Sequence, residues 1–78
     1  MTAPAPRYFF HLVGDHGSFP DDIGWRFSTF EDAKAEAVMI ARDLATENNA
    51  FLDYVVCVAD HNGQTLARVP VEPSWDLQ

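Results

Sequence analysis

The chain has a single cysteine among its 78 residues, so it can form no disulfide within itself. A domain of this size buries little core, and small domains often gain stability from a disulfide, a metal or an oligomer. Cys57 lies in the run VVCVA, whose apolar neighbours favour a buried, unreactive thiol. A catalytic or redox thiol needs cationic company, which the local sequence lacks. The sequence therefore excludes stabilisation by an internal disulfide and leaves a metal or an oligomer.

Basic residues are also scarce. Five Lys and Arg stand against twelve Asp and Glu, giving a net charge of −7. Such a balance repels phosphate backbones and anionic lipids. We therefore expect neither nucleic acid nor membrane as a partner, while a basic protein remains possible.

Long hydrophobic runs are missing. The longest run near the N-terminus, from Tyr8 to Val13, is interrupted by His11. It is too short for a signal sequence or a membrane span. We expect a cytoplasmic protein.

Signatures of catalysis and of metal binding are absent as well. The three histidines, whose spacings match no ligand pattern, are His11, His16 and His61. The carboxylates crowded into one loop region, which lack the rhythm of a calcium loop, are Asp15, Asp21 and Asp22. No nucleophile elbow, phosphate-binding loop or dinucleotide fingerprint occurs. We predict no catalytic residue, no metal and no cofactor, and we do not expect an enzyme.

What the chain does contain is one long helical segment, from Ser28 to Asn48. Ser28 and Glu31 fit a capping box at its start. Helical spacing gathers one apolar seam, made of Phe30, Ala33, Ala37, Ile40, Ala41 and Leu44. Half of the seam is alanine, so we expect the helix to lie close to a sheet. Met39 falls opposite the seam and Val38 on its flank. We expect both to be apolar residues at the surface, and the alternative is that they contact a partner.

Strand-like runs lie on both sides of this helix. In the first, Arg7–Val13, alternation assigns Tyr8, Phe10 and Leu12 to the core and Arg7, Phe9, His11 and Val13 to the opposite face. A short strand follows at Trp25–Phe27. The run Tyr54–Asp60 is apolar on both faces, and Asn62-Gly63 predicts a hairpin into an edge strand, Thr65–Val71.

The resulting order is ββ-α-ββ. It predicts an α+β domain with a mainly antiparallel sheet of three to four strands and one long helix packed on one face. We expect a disordered lead at residues 1–6, one domain at 7–71 and a tail at 72–78.

One helix can cover only one face of such a sheet. Soluble monomers rarely leave a sizeable apolar patch in water, and two-fold self-pairing is the commonest solution. We therefore expect a non-enzymatic interaction module that forms a homodimer, or binds another protein, through Phe9, His11, Val13 and Trp75. The alternative is that Trp75 and the termini of the same chain cover this face. Two other functions stay open, a ligand binder or enzyme using His11, Asp15 and His16, and an adaptor whose acidic helix face binds a basic protein.

Several motifs resemble one family. The opening run Pro6–His11, PRYFFH, is similar to the start of small bacterial proteins grouped as a domain of unknown function. Further similarities in order are Asp22-Ile23-Gly24 to a D-x-G turn, Ala33–Ala37 to an A-x-x-E-A helix, and Asp60–Gly63 to a D-x-x-G turn. The resemblance covers about residues 6–71 and implies no activity, cofactor or catalytic residue. Each position also has a structural explanation, since Asp22 and Asp60 can accept bonds from turn amides.

Overall fold

The computed structural model describes residues 5–47 and 49–72. Three strands precede the helix α1 (Phe30–Glu47), and they are β1 (Arg7–Gly14), β2 (Gly17–Phe19) and β3 (Trp25–Arg26). A 3₁₀ turn at Asn49–Phe51 leads into β4 (Val55–Ala59) and β5 (Thr65–Pro70). The greater part of the expected lead and tail, residues 1–4 and 73–78, lies outside the described residues.

All strand pairs are antiparallel, in the order β2-β1-β4-β5, and β3 also pairs with β1. The predicted α+β fold is confirmed. Within the described residues the sheet has five strands rather than three or four, because two short segments share one long neighbour. β2 pairs with residues 12–14 of β1, and β3 pairs with residues 7–8.

The start of the helix differs from the prediction. The backbone N–H of Asp32 donates to Oγ1 of Thr29 at 3.2 Å, and the helix begins at Phe30. The cap is therefore Thr29, and the assignment to Ser28 is wrong by one residue. Both residue types cap helices well, so the sequence could not separate them.

The helix packs on the sheet through small side chains. A row of buried alanines, one every fourth residue, consists of Ala33, Ala37, Ala41 and Ala45. Opposite them are Val56 and Val58 of β4 and Val69 and Val71 of the last strand region. The prediction of a close, alanine-rich contact is confirmed, and the row extends one turn further than expected.

The face assignment of β1 is also confirmed. Tyr8 is buried, and Phe10 and Leu12 pack against the same core. Met39 is exposed as expected, whereas Val38 is half-buried against the core rather than at the surface. Among the described residues, no helix combines the length and the apolar character needed to cross a membrane.

Candidate functional site

The helix covers one face of the sheet, and the second face is the candidate site. We call it the uncovered face, because among residues 5–47 and 49–72 the helix packs on the opposite side. It is defined by Phe9, His11, Val13, Val55, Cys57 and Arg68. Register places Val13 opposite Val55, and His11 opposite Cys57. Arg68 of β5 also lies opposite Cys57, on the edge of β4 that faces away from β1.

Strand β4 was predicted to be covered on both faces, and this is only partly correct. Ala59 is buried, but Val55 and Cys57 are half-buried. Within the described part of the chain, only the side of β4 that carries Val56 and Val58 packs against the helix. The uncovered face therefore keeps apolar area in contact with water, and 41% of Val13 is exposed.

A groove of about 670 Å³ runs along the uncovered face. Its floor includes Val13, Val55 and Cys57, and its polar side chains include His11, Asp15, Ser18, Asp53, Thr65 and Arg68. Asp15 follows the end of β1 and Asp53 precedes β4, so both carboxylates lie towards one end of the sheet. The groove is negative at that end and positive in the row that contains Arg68.

The loop between β2 and β3 fixes the orientation of His11. The backbone N–H of Asp21 donates to Nδ1 of His11 at 3.0 Å. A neutral imidazole that accepts through Nδ1 carries its proton on Nε2. The ring also stacks against Phe9, with 6.4 Å between the ring centroids and 6° between the planes. His11 is thus held in place as a residue that can donate a hydrogen bond through Nε2.

Asp21 organises the same loop through its carboxylate. Oδ1 accepts from the backbone N–H groups of Ile23 at 3.1 Å and Gly24 at 3.0 Å. Oδ2 accepts from the backbone N–H of Phe10 at 3.1 Å. Phe10 lies between the parts of β1 that pair with β2 and with β3. The carboxylate therefore takes the place of a strand partner where neither short strand reaches.

These contacts also set the ionisation of Asp21. Burial disfavours the charged form, but the hydrogen bonds from Gly24, Phe10 and Ile23 outweigh it. Together they hold the pKa of Asp21 below its ordinary value of 3.8. The turn was expected to use Asp22, which is exposed, and the bonds are made by Asp21 instead. Asp60 does act as expected, since its Oδ1 accepts from Asn62 and Gln64 at 2.9 Å each.

The residues expected at an interface are partly brought together. Phe9, His11 and Val13 share the uncovered face, while Trp75 lies outside the described residues. In the ligand alternative, His11 and Asp15 line the groove, but His16 is exposed in the turn after β1 and does not. No three His, Cys, Asp or Glu side chains of residues 5–47 and 49–72 are grouped to hold a metal ion.

Sequence reasoning missed the surroundings of Cys57. Its neighbours along the chain carry no cation, but register places His11 and Arg68 on either side of it. One signal was available. Cys57 lies five residues before Asn62, and Arg68 lies five after Gly63, so a hairpin centred on Asn62-Gly63 pairs them. The pairing of His11 with Cys57 joins distant strands and has no comparable local signal.

The fold defines a class of small α+β domains in which one helix lies on one face of an antiparallel sheet. The sequence matches the family described as "Domain of unknown function (DUF6894)" over residues 7–72. The chain therefore belongs to this family, which agrees with the resemblance seen in its motifs. No curated protein and no solved structure matches the chain.

Proposed function

We propose that this domain is a non-enzymatic interaction module that forms a homodimer through the uncovered face. The proposal rests on one observation: among the described residues, α1 covers one face of the sheet and leaves the other exposed. The alanine row of α1 packs on Val56 and Val58, and on the opposite side of the sheet Val13, Val55 and Cys57 keep exposed area. Exposed apolar area of this kind favours association.

Charge supports a second copy of this chain as the occupant. The protein carries −7 overall, which opposes self-association at long range. The uncovered face, however, has Arg68 in one row and Asp15 and Asp53 towards one end. A two-fold axis through this face can bring Arg68 of one copy towards a carboxylate of the other. The arrangement is self-complementary, as a two-fold interface requires.

The test compares the masses of four proteins by sedimentation equilibrium, from nanomolar to high micromolar concentration. The wild type is expected to approach twice 8.7 kDa and to remain associated at high salt, because apolar contacts are not screened. Val13→Glu places a charge on the uncovered face and is expected to stay a monomer. Phe9→Glu should act in the same direction.

Met39→Glu is the matched control. Met39 is 48% exposed on the helix, against 41% for Val13, so both changes add one charge to an exposed apolar site. Met39→Glu should associate like the wild type. A wild type that is a monomer throughout, or a Val13→Glu protein that keeps the dimer mass, would overturn the proposal. The first result would favour coverage of the face by the tail with Trp75 or by a different protein.

A further inference from the structure

The row His11–Cys57–Arg68 points to a ligand site that does not depend on self-association. The three residues come from β1, β4 and β5 and are register neighbours on one face of the sheet. Side chains directly opposite each other across antiparallel strands have Cβ atoms roughly 5 Å apart. The row therefore forms one continuous strip across the groove.

Hydrogen-bond donors dominate this strip. Nδ1 of His11 is occupied by the N–H of Asp21, so the ring presents Nε2–H as its remaining polar group. Arg68 is exposed, and no described carboxylate lies within ion-pair distance of it. Thr65 lines the same groove. Arg68 and His11 lie on either side of Cys57. A carboxylate placed over Cys57 can accept from the guanidinium with one oxygen and from Nε2–H with the other.

The rest of the groove limits what can be attached to that carboxylate. One row along the sheet, about 7 Å away, the floor is formed by Val13 and Val55. Beyond them the groove ends near Asp15 and Asp53. An aliphatic body would cover the valines, and a second negative charge would meet the two aspartates. The volume of about 670 Å³ is within the range of small-molecule sites.

We propose that the groove binds a small aliphatic monocarboxylate, with its carboxylate on Arg68 and His11 and its apolar body on Val13 and Val55. A free monomer presents this site, so binding does not rest on the homodimer. A second copy on the same face would cover the groove. The ligand and self-association therefore compete for Arg68, and added ligand should shift the protein towards the monomer.

The test is a titration followed by NMR, at a protein concentration where sedimentation shows a monomer. The three probes each have six carbons and differ at the far end: hexanoate, adipate and 6-aminohexanoate. Hexanoate is expected to give saturable shifts at His11, Cys57 and Arg68. Adipate should bind at least about threefold more weakly because its second carboxylate meets Asp15 and Asp53. 6-Aminohexanoate should bind at least as tightly as hexanoate, because its ammonium group meets the carboxylates of Asp15 and Asp53.

Two variants complete the design. Arg68→Gln should weaken hexanoate binding by about tenfold or more, since it removes the charged donor. Arg42→Gln removes an exposed arginine of the helix and should leave binding unchanged. Unchanged affinity in Arg68→Gln, equal affinity for adipate and hexanoate, or no saturable shift at the row up to millimolar probe would each overturn the proposal. A wild type that binds hexanoate but stays a monomer up to high micromolar concentration would contradict the homodimer alone.

Discussion

The carboxylate of Asp21 accepts a hydrogen bond from the backbone N–H of Phe10, with 3.1 Å between Oδ2 and the nitrogen. This contact links the loop before β3 to the central strand β1. Oδ1 of the same carboxylate binds two further amides, and the backbone of Asp21 binds His11. One side chain thus shapes the loop and fixes a residue of the uncovered face.

Replacing Asp21 should therefore destabilise the fold. In Asp21→Asn the amide nitrogen cannot accept from backbone N–H groups, and at least one of them loses its partner. We expect the free energy of unfolding to fall by about 1–3 kcal/mol, measured by urea denaturation. Asp22→Asn is the matched control, because Asp22 is exposed, and it should change stability by less than about 0.5 kcal/mol. Equal losses in the two variants would contradict the role given to Asp21.

The stabilising effect of Asp21 should depend on pH in one direction. Its pKa is lower in the folded protein than its ordinary value of 3.8, so the folded state favours the charged form. The contribution is present above pH 3.8 and is lost as the pH falls through the folded pKa. The stability difference between wild type and Asp21→Asn should shrink as the pH is lowered from 6 towards 2. A difference that grows on acidification would contradict the sign.

Gly24 should tolerate no side chain. Its φ is +73°, and a Cβ would lie 2.8 Å from the carbonyl oxygen of Tyr8. Gly63 has a similar φ of +83°, but its Cβ would meet nothing within 4 Å. Gly63→Ala should cost about 1–2 kcal/mol from backbone strain alone. Gly24→Ala should cost about 1–3 kcal/mol more because the loop must also move away from β1. Thermal unfolding of the pair separates the two effects, and equal losses would exclude a steric role for β1.

The helix cap predicts a third pair of variants. Thr29→Ala removes the acceptor of the Asp32 N–H and should lower stability by about 1 kcal/mol. Ser28→Ala should have little effect, because the helix begins after Thr29. Chemical denaturation of both proteins decides between the two candidate caps. A larger loss in Ser28→Ala would restore the assignment made from the sequence.

The helix and the core face of β1 were predictable because both depend on the spacing of apolar residues along the chain. Helical spacing of alanines located α1 and its buried side, and the alternation of Tyr8, Phe10 and Leu12 gave the core face of β1. The loop before β3 was less predictable. Neighbouring aspartates at 21 and 22 have the same local propensity, and only the position of the Phe10 amide decides between them.

The candidate site was harder to predict than the fold. Cys57 and Arg68 are paired by the predicted hairpin. His11 is far from both in the chain, and its place beside Cys57 follows from the pairing of β1 with β4. Register depends on how whole strands pair, which the neighbours of Cys57 alone do not encode. The groove could therefore not be predicted from the sequence, although His11 and Asp15 were both named as candidate ligand-binding residues.

The homodimer through the uncovered face is tested most directly by an isotope-filtered NOE experiment. It uses a mixture of labelled and unlabelled protein at high micromolar concentration. It detects contacts between copies and assigns them to side chains. A homodimer built through the uncovered face should give intermolecular NOEs among Phe9, Val13 and Val55. Intermolecular NOEs confined to α1 or to the outer edge of β5, or none at a concentration where the wild type should associate, would contradict it.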